Sequence, residues 1–284
     1  MGAAACRWLV LPRARSDAPQ IQDATWALAF ARRKRAAGVG ALGAGLTIAG
    51  VALYFLRQLL EFRDPFVPWT EDASLLLSTP WGTAWKLAAA GAVASLTSLL
   101  VARTGRSAAW AVATALALAM AAFPTFTGHA SGVEDGRTLA LVADWLHVVA
   151  AGGWIGGLAV VLYVGRLGGS DGSGLEDLVP PFSTLAMASV AVLVVTGSLA
   201  SWIHLPGVGA LFSTTYGRTL SLKLLIVAGV LALGARNNRI LKSRLDTDAG
   251  REAMRRSATL ELLVAQVVLL VTALLVRTSP PMGS

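Results

Sequence analysis

The chain is poor in charge and nearly empty of cysteine, and each shortage removes a class of protein. Of its 284 residues 14% are charged and 55% hydrophobic, with a mean hydropathy of +0.63. An average soluble domain carries about 25% charged residues, so this composition belongs in a lipid bilayer. The single cysteine, Cys6, excludes an intramolecular disulfide framework and any CxxC metal or redox site, leaving methionine as the remaining sulfur ligand. No GxxxxGK[ST] phosphate loop, GxSxG or HExxH occurs, so nucleotide-driven work, serine hydrolysis and zinc proteolysis have nothing to rest on, and no enzyme is expected. The first eleven residues lack the charged start, apolar core and cleavage site of a secretory signal. Targeting is then expected to fall to the first span.

Long apolar runs are what the chain has instead. A helix rising 1.5 Å per residue needs about 20 residues to cross a hydrocarbon core of roughly 30 Å. Seven stretches qualify, near 36–60, 83–102, 107–123, 139–164, 183–204, 219–235 and 260–276. The fold expected is all-α, a polytopic transmembrane bundle of about seven spans. Residues 1–35 read as a basic cytoplasmic segment and 36–284 as a single membrane domain. The net charge of +8 sits at span ends, so the partner is the bilayer and not a nucleic acid.

Basic loops favour the cytoplasm. Arg7, Arg13, Arg15 and the run Arg32, Arg33, Lys34, Arg35 precede the first span; Arg236, Arg239, Lys242, Arg244, Arg251, Arg255 and Arg256 follow the sixth. Six intervening spans put both groups on one side, which makes the N-terminus cytoplasmic and turns the connections at 61–82, 124–138 and 205–218 outward. The connection at 165–182 falls on the inner side although Asp171, Glu176 and Asp177 outweigh Arg166; acidic residues count for little in this rule. IQDATWALAFARRKR, residues 21–35, reads either as a short interfacial helix with Trp26 and Phe30 among the headgroups or as an unstructured start.

Two outward junctions echo each other. STPWGTAWKLAAAGAV begins at Ser78 and STTYGRTLSLKLLIVAGV at Ser213, each with Ser-Thr, an aromatic-Gly pair and a lysine, Lys86 or Lys223, early in the following span. The spacing suggests parallel repeats, spans 1–3 and 5–7. The plainer reading is that Ser and Thr cap helix starts and aromatics sit at the interface.

The polar residues inside apolar runs carry the functional question. In DWLHVVAAGGWIGG, residues 144–157, helical spacing sets Asp144, His147, Ala151 and Trp154 on one stripe. An ionisable group at that depth costs about 2.5–3.5 kcal/mol or more against lipid, so the stripe faces the bundle interior. Gly152, Gly153, Gly156 and Gly157 form overlapping small-xxx-small pairs, read as helix packing. His129, in PTFTGHASG, and His204, at the end of the fifth span, join Asp144, His147, Tyr216, Arg218 and Lys223 on the outer half. Solvation at the interface accounts equally well for His129 and His204. Met120, near the outer end of the third span, has the softness for Cu(I), though methionine in a span is ordinarily core filler, as Met187 is. Asp144 is placed to orient the His147 ring as carboxylates do behind metal-binding imidazoles.

Together these segments resemble the copper resistance protein D family of bacterial inner-membrane proteins. The matching residues are STPWG at 78–82, GHA at 128–130, DWLHVVAAGGWIGGL at 144–158, FSTLAMASVAVLVVTGSLASW at 182–202, TTYGRTLSLKL at 214–224 and LLVRTSPP at 274–281. The resemblance implies a multi-pass inner-membrane protein that moves copper toward the cytoplasm. It further implies that His129 and His204 receive the ion, that Asp144 and His147 form the intramembrane site, and that a periplasmic copper-binding protein is a partner. Two alternatives stay open: a membrane partner that delivers copper without net transport, and a haem b electron-transfer protein, since histidines on neighbouring helices also hold iron.

Overall fold

The computed structural model describes residues 1–11, 19–127, 136–166, 173–204, 207 and 209–277. Among them no strand occurs, and seven helices are long and apolar enough to cross a membrane. The chain opens with α1 (Gly2–Ala5) and a π-helical turn, Cys6–Val10. There follow α2 (Pro19–Phe62), α3 (Trp69–Ser78), α4 (Pro80–Ala102), α5 (Ser107–Met120), α6 (Ala122–Thr127), α7 (Arg137–Arg166), α8 (Ser173–His204), α9 (Ala210–Ser213), α10 (Thr215–Arg236) and α11 (Asp248–Arg277). The seven spans, formed by α2, α4, α5 with α6, α7, α8, α10 and α11, fall where the apolar runs predict.

Their ends do not. α2 is continuous from Pro19, so no separate interfacial helix precedes the first span; Ala, Arg and Lys between residues 27 and 37 are good helix formers and nothing there breaks the helix. The connection expected at 236–259 is mostly helix as well. α10 runs on through a π turn, Asn237–Leu241, and a 3-10 turn, Lys242–Arg244, and α11 starts at Asp248. Hydropathy marks where a chain leaves lipid; it does not mark where the helix stops. The connection at 61–82 likewise contains α3.

The chain forms two compact units, residues 12–127 with Met1 and Ala3, and residues 128–284 with Gly2 and 4–11. In the first, α2 packs on α4 and α4 on α5. An aromatic cluster joins them: Phe55 and Trp85 have ring centroids 4.6 Å apart, Tyr54 and Trp81 5.6 Å, and Tyr54 meets Phe123 edge-on at 6.2 Å. Trp85 Nε1 also donates to the Val51 carbonyl at 2.9 Å, which gives the buried indole its partner inside an apolar contact. Leu42, Leu46 and Leu53 remain exposed, as side chains meant for lipid should.

In the second unit α7 is the central helix. Half of its most apolar window is buried, against 28% for α8, 11% for α10 and 28% for α11. The expected role of its glycines in packing holds where the structure describes their neighbours. A Cβ on Gly157 would stand 3.0 Å from the Phe182 ring of α8, and one on Gly153 would lie 3.7 Å from Ser189 Oγ. The N-terminal turn uses the same stripe: Gly2 lies so close to Gly156 that a Cβ would overlap its backbone, and Cys6 Sγ donates to the Gly157 carbonyl at 3.6 Å. Burial pushes the Cys6 thiol up to about 12, so it stays protonated and is neither a nucleophile nor a ready metal ligand.

At one end of this unit Arg251 donates to Glu176 Oε1 and Asp248 Oδ1, both at 2.6 Å, while Glu252 accepts from Arg255 and Arg256. The first turns of α8 and α11 therefore meet. The acidic residues that made 165–182 look out of place include the partner of this basic turn.

Candidate functional site

α7 brings its polar stripe to two neighbours. His147, half-buried, places Nδ1 2.8 Å from Thr196 Oγ1 of α8. Thr196 Oγ1 also stands 2.7 Å from the Val192 carbonyl of its own helix, and its single proton goes there. Toward His147 the hydroxyl oxygen can then accept, in the tautomer with the ring proton on Nδ1. Nε2 is left with an in-plane lone pair, the form in which neutral imidazole binds metal. Gly197 faces the other side of the ring; a Cβ there would lie 3.7 Å from Cε1.

The predicted residues Asp144 and Lys223 belong to the same site. Lys223, on α10, is coupled electrostatically to Asp144 and to His147, and Asp144 to His147. Asp144 and His147 of α7 and Lys223 of α10 thus lie within electrostatic range of one another, and His147 alone contacts the α8 hydroxyl. The arrangement offers a cation His147 Nε2 and the Asp144 carboxylate. It is not a complete cage of hard or soft ligands: among the described residues no three His, Cys, Asp or Glu side chains converge.

Other predicted residues fall elsewhere. Tyr216 and Arg218 lie in the first turn of α10, where Arg218 is exposed and its Nε donates to the Phe212 carbonyl of α9 at 3.0 Å. Met120 belongs to the first unit, with its sulfur against Gly91 of α4. His129 lies outside the described residues, and His204 closes α8 with its side chain outside them. Along α8, His204 is eight residues beyond Thr196, about 12 Å at the helical rise. That separation in level disfavours His147 and His204 as axial ligands of one haem.

Trp154, the last member of the stripe, makes a contact the sequence does not foretell. Its Nε1 donates to Glu261 Oε1 of α11 at 3.2 Å, and Asn237 Nδ2 donates to Glu261 Oε2 at 2.8 Å. Thr196, Asn237 and Glu261 are the polar residues that sequence reasoning missed. The available signal for Glu261 was an acidic residue inside LELLVAQ, masked by its position at the edge of an apolar run.

A multi-pass membrane helix bundle with ionisable groups placed inside its spans is the class these features define. Residues 176–275 match the family model of copper resistance protein D. The Copper transport protein CutJ of Bacillus subtilis (strain 168) is 34% identical over 112 residues, covering 39% of this chain. The chain spans 20% of the length of that curated relative. No solved structure matches. The family match covers α8, α10 and α11, so Thr196, Lys223 and Glu261 lie within it, whereas Asp144 and His147 precede it.

Proposed function

We propose that the protein moves copper across the bacterial inner membrane and that His147 is the intramembrane ligand. The observation that supports this reading is the 2.8 Å hydrogen bond between His147 Nδ1 and Thr196 Oγ1, which in the Nδ1-protonated tautomer leaves the Nε2 lone pair free for a metal. The copper-resistance match and the name of the curated relative supply the cargo. In the empty state Lys223 neutralises Asp144; an arriving copper ion takes the carboxylate and the imidazole, and the ammonium withdraws. His129 and His204 receive the ion from a periplasmic copper-binding protein, on the orientation that the basic residues favour.

The test is copper uptake into proteoliposomes. His147→Ala is expected to reduce uptake to the level of protein-free vesicles while thermal unfolding stays close to wild type. Normal uptake by that variant would overturn the assignment. Copper binding by the wild type without flux would replace transport with delivery to another protein, and a Soret band in the purified protein would replace copper with haem.

A further inference from the structure

The second polar cluster on α7 has a chemistry of its own. Trp154 is seven residues from His147, two turns and about 10 Å farther along the same face. It meets Glu261, which is only 4% exposed. Each carboxylate oxygen of Glu261 receives one neutral donor, Trp154 Nε1 or Asn237 Nδ2, and Gly234 of α10 leaves room for the group, a Cβ there standing 3.5 Å from Oε1. The charged groups at this end of the unit include Arg236 on α10, Arg239, Lys242, Arg244 and Asp246 beyond it, Asp248, Arg251, Glu252, Arg255 and Arg256 on α11, and Glu176 and Asp177 on α8; Tyr163 on α7 is a further ionisable group. Among the described residues none forms an ion pair with Glu261, which is buried and held by the two hydrogen bonds. An unpaired carboxylate so placed carries a desolvation cost of several kcal/mol.

Two further polar atoms point to what relieves that cost. Asn237 Oδ1 is buried and has no hydrogen-bond partner, and so is Ser257 Oγ, one turn from Glu261 on the same face of α11. The two side chains are 8% and 6% exposed. The Asn237 oxygen lacks a donor, and the Ser257 hydroxyl is free to donate or accept. Turning the Asn237 amide by half a rotation exchanges its NH2 and C=O, so one side chain can donate to a carboxylate and accept from a carboxylic acid. A metal ion fits poorly, because two N–H groups already point their positive ends at the carboxylate and no second carboxylate, histidine or cysteine converges on it among the described residues.

We infer that Glu261, with Asn237 and Trp154, is a proton-binding site inside the membrane, a second station on the stripe that carries His147. The step is the addition of one proton from water to the carboxylate, giving a neutral carboxylic acid, and its return to water; no other group changes. The inference goes beyond the copper reading and does not depend on it.

Infrared spectroscopy of the full chain in lipid vesicles tests it without measuring copper. At neutral pH the wild type is expected to show the carbonyl stretch of a protonated carboxylic acid, discharged by alkali and missing from Glu261→Gln. Glu252→Gln, at the exposed Arg-paired carboxylate, should keep the band. Absence of the band from the wild type, or its persistence in Glu261→Gln, would overturn the inference. If Glu261→Gln does not fold, Trp154→Phe decides: removing the indole donor must move the band to higher frequency, and an unmoved band counts against the site.

Discussion

The junctions that open α4 and α10 are built alike and lead to different things. In the first, Thr79 Oγ1 accepts from Gly82 N at 3.0 Å and donates to the Leu76 carbonyl at 2.6 Å; in the second, Thr214 Oγ1 accepts from Gly217 N at 2.9 Å and donates to the Ala210 carbonyl at 2.8 Å. Both glycines lie against the short helix just before, where a Cβ would overlap backbone. Beyond the cap the likeness ends. α4 carries Trp81 and Trp85 into an aromatic cluster and leaves Lys86 exposed, whereas α10 carries Lys223 to Asp144 and His147. The shared sequence therefore encodes how a helix begins after a tight turn. What the following span does is set by the partner helix, and α7 offers a polar stripe.

The largest effect expected from probing this pair is also the most symmetric. Gly82→Ala and Gly217→Ala each drive a methyl into main-chain atoms of α3 or α9, which cannot yield as a flexible side chain would. Each should cost about 1–3 kcal/mol or more, read as a matching fall in the temperature at which the protein loses helicity in detergent. A large loss at one junction and none at the other would break the structural equivalence.

The next effect should be asymmetric. Lys223→Met removes the cation that acts electrostatically on Asp144 and His147, so on the proposed function copper uptake is expected to fall by roughly tenfold, equivalent to about 1.4 kcal/mol. Lys86→Met, at an exposed position in the other unit, should leave uptake unchanged. Equal losses from the two would show that the lysines serve the same end and that the echo extends beyond the cap.

The number and place of the spans were legible because hydropathy reports the solvent around a chain directly. Asp144 and His147 were legible for the same reason: each is an ionisable residue in an apolar run, and lipid cannot solvate it. Thr196 was not, because a hydroxyl in a span hydrogen-bonds to its own helix, here to Val192, and so leaves no mark in hydropathy. Glu261 was hidden by a boundary error. With the seventh run read from residue 260 it looks terminal, but α11 begins at Asp248, and Glu261 sits thirteen residues inside a helix. Asn237 was lost in the same way, since a residue placed in a loop needs no explanation for being polar.

The smallest effect separates a repeat from a general way of starting a helix. A third Thr-x-x-Gly stands at the start of α11: Thr247 Oγ1 accepts from Gly250 N and donates to the Arg244 carbonyl, both at 3.1 Å, and a Cβ on Gly250 would overlap that carbonyl. This copy lies at the basic end of its unit, outside the two-fold pattern of the echo. If the threonine acts as an N-cap, replacing it removes the partner of one otherwise unsatisfied backbone N–H, and the loss should be about 1 kcal/mol wherever the motif occurs. Thr79→Ala, Thr214→Ala and Thr247→Ala are then expected to lower thermal stability by similar amounts and to leave copper uptake per folded protein unchanged. Should Thr79→Ala and Thr214→Ala impair uptake while Thr247→Ala does not, the two echoing junctions would have a function in common that the cap geometry does not contain.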